Sequence, residues 1–414
     1  MKLIHSFVVL LVSLAFYSAS ADDWLGFRGP NSAGISTDTK VPTTWANDKN
    51  LAWKLELPGK GYSSPIVVGD RVFLTCYSNE DDLENLVRHL ICLDRETGEE
   101  VWSKQVPSTS RERSIPRFAG TPGYASSTPV SDGTNVYGLF GSSGVYAFDP
   151  TGKELWHTDV GSQNAAMFGS ASSPMIYGEN LIVQAGSESR SIRALDLKTG
   201  EEKWSSPADT LSGSYSTPIV AKHTADSKVL LVSIPQEIWA VNPATGKLKW
   251  YAETRVDTGA CPVLVADDEV VYAIGGRSGG RTAIRLGGKG DVTESHTVWS
   301  RNGGAYVPSP VLHRGHLYWV TDRGVLNCID VKTGEEAGRA RLNGQFYASI
   351  QLIGNYLVAV SRFSGTYVVK AGPELTQVAH NKLDDKSDFS ASPAISNGCL
   401  FIRSDAALYC IRQQ

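Results

Sequence analysis

Beyond its first twenty or so residues, the 414-residue chain has no run long and apolar enough to span a bilayer as a helix. It has little net charge, −4 with both signs interspersed, which gives no basis for a nucleic-acid partner. Gly276-Arg277-Ser278-Gly279-Gly280 spells Gly-x-Ser-x-Gly but reads as part of a hairpin loop, not as a strand-to-helix nucleophile elbow, and no His-Glu-x-x-His sequence is present. The Gly-rich stretch Gly275–Gly280 lacks the Gly-Lys-Ser/Thr ending that would place a lysine and a hydroxyl on phosphate and Mg²⁺, and it reads as a hairpin loop. His313 and His316 flank a turn with no third ligand in sight, so no metal site is assigned.

What is present begins with an N-terminal leader. Lys2 is followed by the apolar run Phe7–Tyr17 and by Ala19-Ser20-Ala21, a small-residue cleavage pattern. Residues 1–21 are therefore expected to be a signal peptide, with a periplasmic or extracellular protein beginning at Asp22. No Cys follows the cleavage point, which gives no support to a lipid anchor.

The body of the chain is a repeat. Ser64-Pro65, Thr128-Pro129, Ser173-Pro174, Thr217-Pro218, Cys261-Pro262, Ser309-Pro310 and Ser392-Pro393 each open an apolar run, and Ala348-Ser349-Ile350 takes the same place without proline. Successive anchors lie 40 to 48 residues apart, except for a first interval of 64 that holds insertions at 79–87 and 107–121. Within each unit, short apolar runs alternate with turns such as Asp94 to Gly98, Asp149 to Gly152, Asp196 to Gly200, Asn242 to Gly246 and Asp330 to Gly334. Asp or Asn can bond nearby backbone N–H groups there, and Gly can take positive φ. A Trp follows at Trp102, Trp156, Trp204, Trp250 and Trp299, whereas the next two units carry Gly338 and Ala379 in that slot. The repeated indole is expected to pack between units and to donate its N–H.

Four short strands per unit of this length predict an all-β, eight-bladed β-propeller of four-stranded antiparallel blades. The eighth unit offers only three runs, Ser392–Ile395, Leu400–Ser404 and Leu408–Ile411. Leu51-Ala52-Trp53-Lys54-Leu55 matches Glu100-Val101-Trp102-Ser103-Lys104, so this N-terminal strand should close the last blade and bury the open edges. The organisation is then a leader at 1–21, an extended arm at 22–49 lying on the propeller, and the propeller at 50–414.

The Asp-x-x-Thr-Gly-x-x-x-Trp pattern resembles the repeat of pyrroloquinoline-quinone (PQQ)-type propellers over essentially residues 50–414. That family includes quinoprotein alcohol and glucose dehydrogenases, the outer-membrane assembly lipoprotein BamB, and many further bacterial propellers. The segment Trp24-Leu25-Gly26-Phe27-Arg28-Gly29-Pro30-Asn31 is similar to the N-terminal segment of its secreted members. The resemblance implies the fold, and for the dehydrogenase branch it implies PQQ with Ca²⁺. Alcohol-type members carry two adjacent cysteines near the cofactor; no such pair occurs here, and no catalytic residue is assigned.

The six cysteines fit structural slots: Cys92, Cys328 and Cys410 stand where other units have Ala147, Ala194 and Ala240. Cys76–Cys92 and Cys399–Cys410 sit on neighbouring strands, and a bridge at either is left open. The candidate site is the aromatic before each first strand: Tyr62, Tyr124, Phe168, Tyr215, Tyr306, Tyr347 and Phe389. These rings either pack between blades or line a central funnel for a flat, sugar-like or peptide ligand. Arg113, Arg117, Glu188, Arg190, Arg277, Arg281, Asp322, Arg323 and Arg362 stand on the neighbouring loops. The leading expectation is a non-catalytic binding or scaffold propeller of the bacterial envelope, with an envelope protein or a small funnel ligand as partner. The alternatives are a PQQ-dependent oxidoreductase and a BamB-like assembly factor.

Overall fold

A computed structural model describes residues 23–110, 112–115, 123–276 and 279–414. The expected leader at 1–21 therefore lies outside the described residues. The described chain forms eight blades, each with four antiparallel strands that follow one another along the chain except where blade 8 borrows its outer strand from the N-terminal side and blade 5 skips the short strand Gly290–Asp291. Blade 1 is Ile66–Val68, Arg71–Ser78, Val87–Asp94 and Glu100–Pro107. Blade 8 is Ala394–Ser396, Cys399–Arg403 and Ala407–Arg412, completed by Leu51–Glu56. In that closure Trp53 pairs with Cys410, Lys54 with Tyr409 and Leu55 with Leu408.

Sequence pattern follows position in the blade. Arg71–Ser78 and Val87–Asp94 are buried at every interior position, because a middle strand is covered on both faces by neighbouring blades. The outer strand Glu100–Pro107 is largely exposed or half-buried. Core clusters accordingly span blade junctions: Leu231, Ile238 and Trp250 of blade 4 pack with Val271, Ala273 and Ile284 of blade 5. All eight pairings of third and fourth strands carry a register shift beside the Trp slot. Such bulges re-aim side chains and sharpen twist.

The Trp–turn pattern is a latch between blades at five of six Trp positions; the exception is Trp250 of blade 4, which packs in the core but whose Nε1 has no hydrogen-bond partner. Trp53 Nε1 donates to Arg95 O at 2.9 Å, Trp102 to Pro150 O at 3.0 Å, Trp156 to Leu197 O at 2.9 Å, Trp204 to Pro243 O at 3.1 Å and Trp299 to Val331 O at 2.8 Å. Each acceptor lies in the turn of the next blade. There the turn Gly rests on the indole: a Cβ on Gly200 would lie 2.6 Å from Trp156, and one on Gly334 would lie 2.6 Å from Trp299. The turn is held by its carboxylate, as when Asp94 Oδ1 accepts from the backbone N–H groups of Glu96 and Thr97. These bonds hold the carboxyl of Asp94 below its usual range. Blade 6 lacks the Trp because Gly338 faces the Pro373 carbonyl, which a Cβ would meet at 1.9 Å.

The arm runs inside the ring end rather than over its outer surface. Trp24 bridges Val67 of blade 1, Leu25 O accepts Ser131 N–H of blade 2 at 2.8 Å, and Ile35–Ser36 adds a parallel strand to Gln351–Ile353 of blade 7. These partners are all innermost strands. The arm then reaches Asn381, whose Oδ1 accepts Trp45 N–H at 3.0 Å, before entering blade 8. None of the six cysteines is in a disulfide; Cys76 stands opposite His89, and Cys92 opposite Phe73. No helix among the described residues is long and apolar enough to cross a membrane.

Candidate functional site

The Ser/Thr-Pro anchors line the ring axis, and their hydroxyls join the blades into a belt. Ser64 N–H donates to Thr128 Oγ1 at 2.9 Å, Thr128 N–H to Ser173 Oγ at 3.0 Å, and Ser173 N–H to Thr217 Oγ1 at 3.0 Å. On the other side Val263 N–H donates to Ser309 Oγ at 3.0 Å, Ser309 N–H to Ser349 Oγ at 3.0 Å, and Ser349 N–H to Ser392 Oγ at 2.9 Å. Each bond satisfies a backbone donor that the short inner strand leaves outside its ladder. The proline that follows has no N–H to satisfy, which suits it to this inner edge.

Above this belt lies an axial cavity of about 150 Å³. Every blade unit contributes to its wall, and Phe27 of the arm reaches it as well. Five of the aromatics expected from the sequence line it: Tyr62, Phe168, Tyr215, Tyr306 and Tyr347. Phe168 and Tyr215 stand 5.8 Å apart between ring centroids. Burial is the main cause raising the Tyr215 phenol, to about 12. Tyr124 and Phe389 are elsewhere. Tyr124 lines two neighbouring cavities and donates to Arg113 O at 3.2 Å, because the insertion of blade 1 draws its ring outward. Phe389 is buried against Tyr409 with centroids 6.0 Å apart, since its strand entrance turns into the core of blade 8.

One charged cluster stands at the cavity's edge. Arg362 and Asp388 form an ion pair with both side chains 8% exposed. Asp388 also accepts from Tyr62 OH at 3.0 Å and from Ser390 Oγ at 2.6 Å. The Arg362 guanidinium lies 4.5 Å from the ring centroid of Tyr347, within cation–π range. Asp405 is nearby; burial, and then the Asp388 charge, push its carboxyl up to about 6 against the opposing pull of Arg403. Tyr62 is also shared with an adjoining cavity of about 520 Å³ lined by Lys60, Glu80, Asp81, Tyr77 and Asp405.

The other loop charges do different work. Arg190 pairs with Asp209 at 3.0 Å, Arg281 donates to Gly303 O at 2.8 Å, and Glu188 is buried. Arg323 is exposed, Asp322 is half-buried, and Arg117 and Arg277 lie outside the described residues. Sequence reasoning missed Phe27, the hydroxyl belt and the Arg362–Asp388 pair. The belt had a signal, a hydroxyl before proline in unit after unit, whereas the ion pair joins positions 26 residues apart on two blades.

PQQ is a tricarboxylate, held with Ca²⁺ in the quinoprotein branch. No described residue lining the axial cavity bears a charge, and among the described residues no group of three His, Cys, Asp or Glu is placed to hold a metal. Carboxylates buried against phenyl and phenol rings without cations are strongly disfavoured, so this donor set does not fit the cofactor.

The chain aligns at 24% identity over 378 residues with the outer membrane protein assembly factor BamB of Burkholderia pseudomallei, covering 88% of each chain. It is 27% identical over 235 residues to the tetrathionate hydrolase of Acidithiobacillus ferrooxidans, which is 51% of this chain and only 45% of that protein. Among solved structures it resembles BamB from Moraxella catarrhalis, with a TM-score of 0.62 at 14% identity, covering 88% of this chain and 97% of that one. It also resembles the quinohemoprotein alcohol dehydrogenase of Comamonas testosteroni, with a TM-score of 0.65 at 12% identity, covering 97% and 82%. At such identities these structures speak for the fold alone. The family model described as outer membrane protein assembly factor BamB matches residues 32–116 and 88–339. The blade latch, the closed ring and this match agree: the chain belongs to the BamB-like family of PQQ-type repeat propellers.

Proposed function

We propose that the protein is a non-catalytic binding propeller of the bacterial envelope, exported by its leader to the periplasm or cell exterior, that captures a ligand or partner segment at the axial funnel. One observation carries this reading: Phe27, Tyr62, Phe168, Tyr215, Tyr306 and Tyr347 converge on one uncharged cavity. Aromatic faces and phenol hydroxyls suit a flat sugar ring or a peptide side chain, which they hold by stacking and hydrogen bonds. The relative of matching length, an outer membrane protein assembly factor, supports an envelope protein as the partner.

The test uses purified mature protein titrated with a panel of oligosaccharides and peptides, followed by calorimetry and by cross-linking in envelope extracts. Binding or a reproducible envelope partner is expected, with loss on Tyr215→Ala or Tyr306→Ala while the folded spectrum is kept. Binding that both substitutions leave intact would remove the funnel from the reading. Dye reduction with alcohols or sugars after loading with PQQ and Ca²⁺ would replace it with the oxidoreductase reading, for which the fold of the quinohemoprotein dehydrogenases is the support.

A further inference from the structure

The arm segment from Phe27 to Gly34 does more than floor the funnel. Arg28, Asn31 and Ser32 have φ of 63°, 52° and 53°, left-handed values that side-chain-bearing residues seldom take. The loop curls round its own guanidinium. Arg28 Nε donates to Ser32 O at 3.1 Å, and Nη2 donates to Ala33 O at 3.1 Å and to Pro310 O of blade 6. Arg28 is 0% exposed. Burial lowers its pKa to about 9, so it remains a cation at neutral pH.

Its partners are all neutral carbonyls, and Nη1 has no hydrogen-bond partner. Gln351, the first residue of the innermost strand of blade 7, is equally buried, and both of its amide atoms lack partners. The two side chains meet at Gly34. A Cβ there would lie 2.6 Å from Arg28 Nη2 and 2.7 Å from Gln351 Oε1. Glycine, at φ 70°, keeps that junction open. A buried cation without a counter-charge is strongly unfavourable, and a neutral hydrogen-bonding group would satisfy donors without offsetting the charge.

We propose that the Arg28 guanidinium, with Nη1 as its remaining donor, and the Gln351 amide bind a small monovalent anion that clamps the arm to blades 6 and 7. The amide nitrogen and oxygen of Gln351 are interchangeable by rotation, and the anion selects the orientation that donates. An anion here would offset the guanidinium charge and give the strained loop a reason to close. The site lies on the arm and is independent of the funnel reading.

The experiment begins with protein exchanged into gluconate, then titrated with chloride or bromide at constant ionic strength while Tm is followed. A saturable rise in Tm is expected, because a ligand that binds only the folded state stabilises it by mass action. Gln351→Leu should abolish the halide dependence without unfolding the ring. Wild-type crystals soaked in bromide should show an anomalous peak within hydrogen-bonding distance of Arg28 Nη1 and Gln351. A Tm indifferent to halide, the same halide response in Gln351→Leu, or a water in place of bromide at Arg28 would each overturn the proposal.

Discussion

Alanine at Gly200 should weaken the fold more than alanine at Gly178, although both are turn glycines of blade 3 with positive φ, 74° and 59°. The backbone penalty for a Cβ in that region is about 1–2 kcal/mol at either site. The surroundings differ. A Cβ on Gly178 meets nothing within 4 Å, whereas one on Gly200 lies 2.6 Å from Trp156 Cε3 and 2.7 Å from Thr158 Oγ1. The Trp156 ring is itself buried, with its Nε1 held by Leu197 O at 2.9 Å, so it has little room to yield. Overpacking of that kind adds about 1–3 kcal/mol, and a strained indole bond adds about 1 kcal/mol. Gly200→Ala is therefore expected to cost at least about 1 kcal/mol more than Gly178→Ala, by the lower bound of that overpacking range. Urea unfolding followed by circular dichroism measures the difference as a shift in midpoint at unchanged slope. In a Trp156→Ala background the extra cost of Gly200→Ala should shrink to what the Thr158 contact leaves, which ties the rest of it to the latch. Equal midpoint losses for the two glycine variants would refute the latch as the reason for the repeated Gly.

Two further outcomes follow from the site. Burial and the Asp388 charge push the Asp405 carboxyl up to about 6 in the folded chain, above the ordinary carboxylate range, so the unfolded chain releases its proton first. The stability this group contributes is complete below the ordinary carboxylate range and is lost as pH rises to about 6. Asp405→Asn should flatten the pH dependence of the urea midpoint across that window; an unchanged slope would assign the effect to another group. Among the thiols, Cys261 is half-buried in the funnel wall, while burial pushes Cys76 up to about 11 and Cys92 to about 12. Since a thiol must be reached to react, native-state alkylation mapped by mass spectrometry should modify Cys261 and spare the other five, all of which are buried. Modification of Cys92 in the folded protein would contradict this, and a funnel ligand should protect Cys261.

Much of the architecture was legible because a propeller repeats one solution. The Asp-to-Gly turn and the Trp after it recur because five of the blades latch onto the next through them, and the Trp53 strand was recognisable as the missing fourth strand of blade 8 by the same pattern. The slot at Gly338 could be seen to depart, yet its cause, the Pro373 carbonyl of the neighbouring blade, belongs to another part of the chain. The candidate site was legible in part. Tyr62, Phe168, Tyr215, Tyr306 and Tyr347 share a wall, but Tyr124 and Phe389 occupy the same sequence slot and face elsewhere. Slot identity fixes where a backbone enters the blade; the insertion before Tyr124 and the core packing around Phe389 decide where the ring points.

By itself, then, the sequence determined the repeat, the blade count, the closing strand and the turn chemistry, all of which are local patterns copied unit by unit. Only the tertiary structure decided that the arm threads the ring end, that Phe27 joins the funnel, that Arg362 finds Asp388, and that Arg28 lies buried beside Gln351. Each of those contacts occurs once and joins segments on different blades or on the arm and a blade, which only the packing of the folded ring brings together, so no periodicity in the residues could announce them.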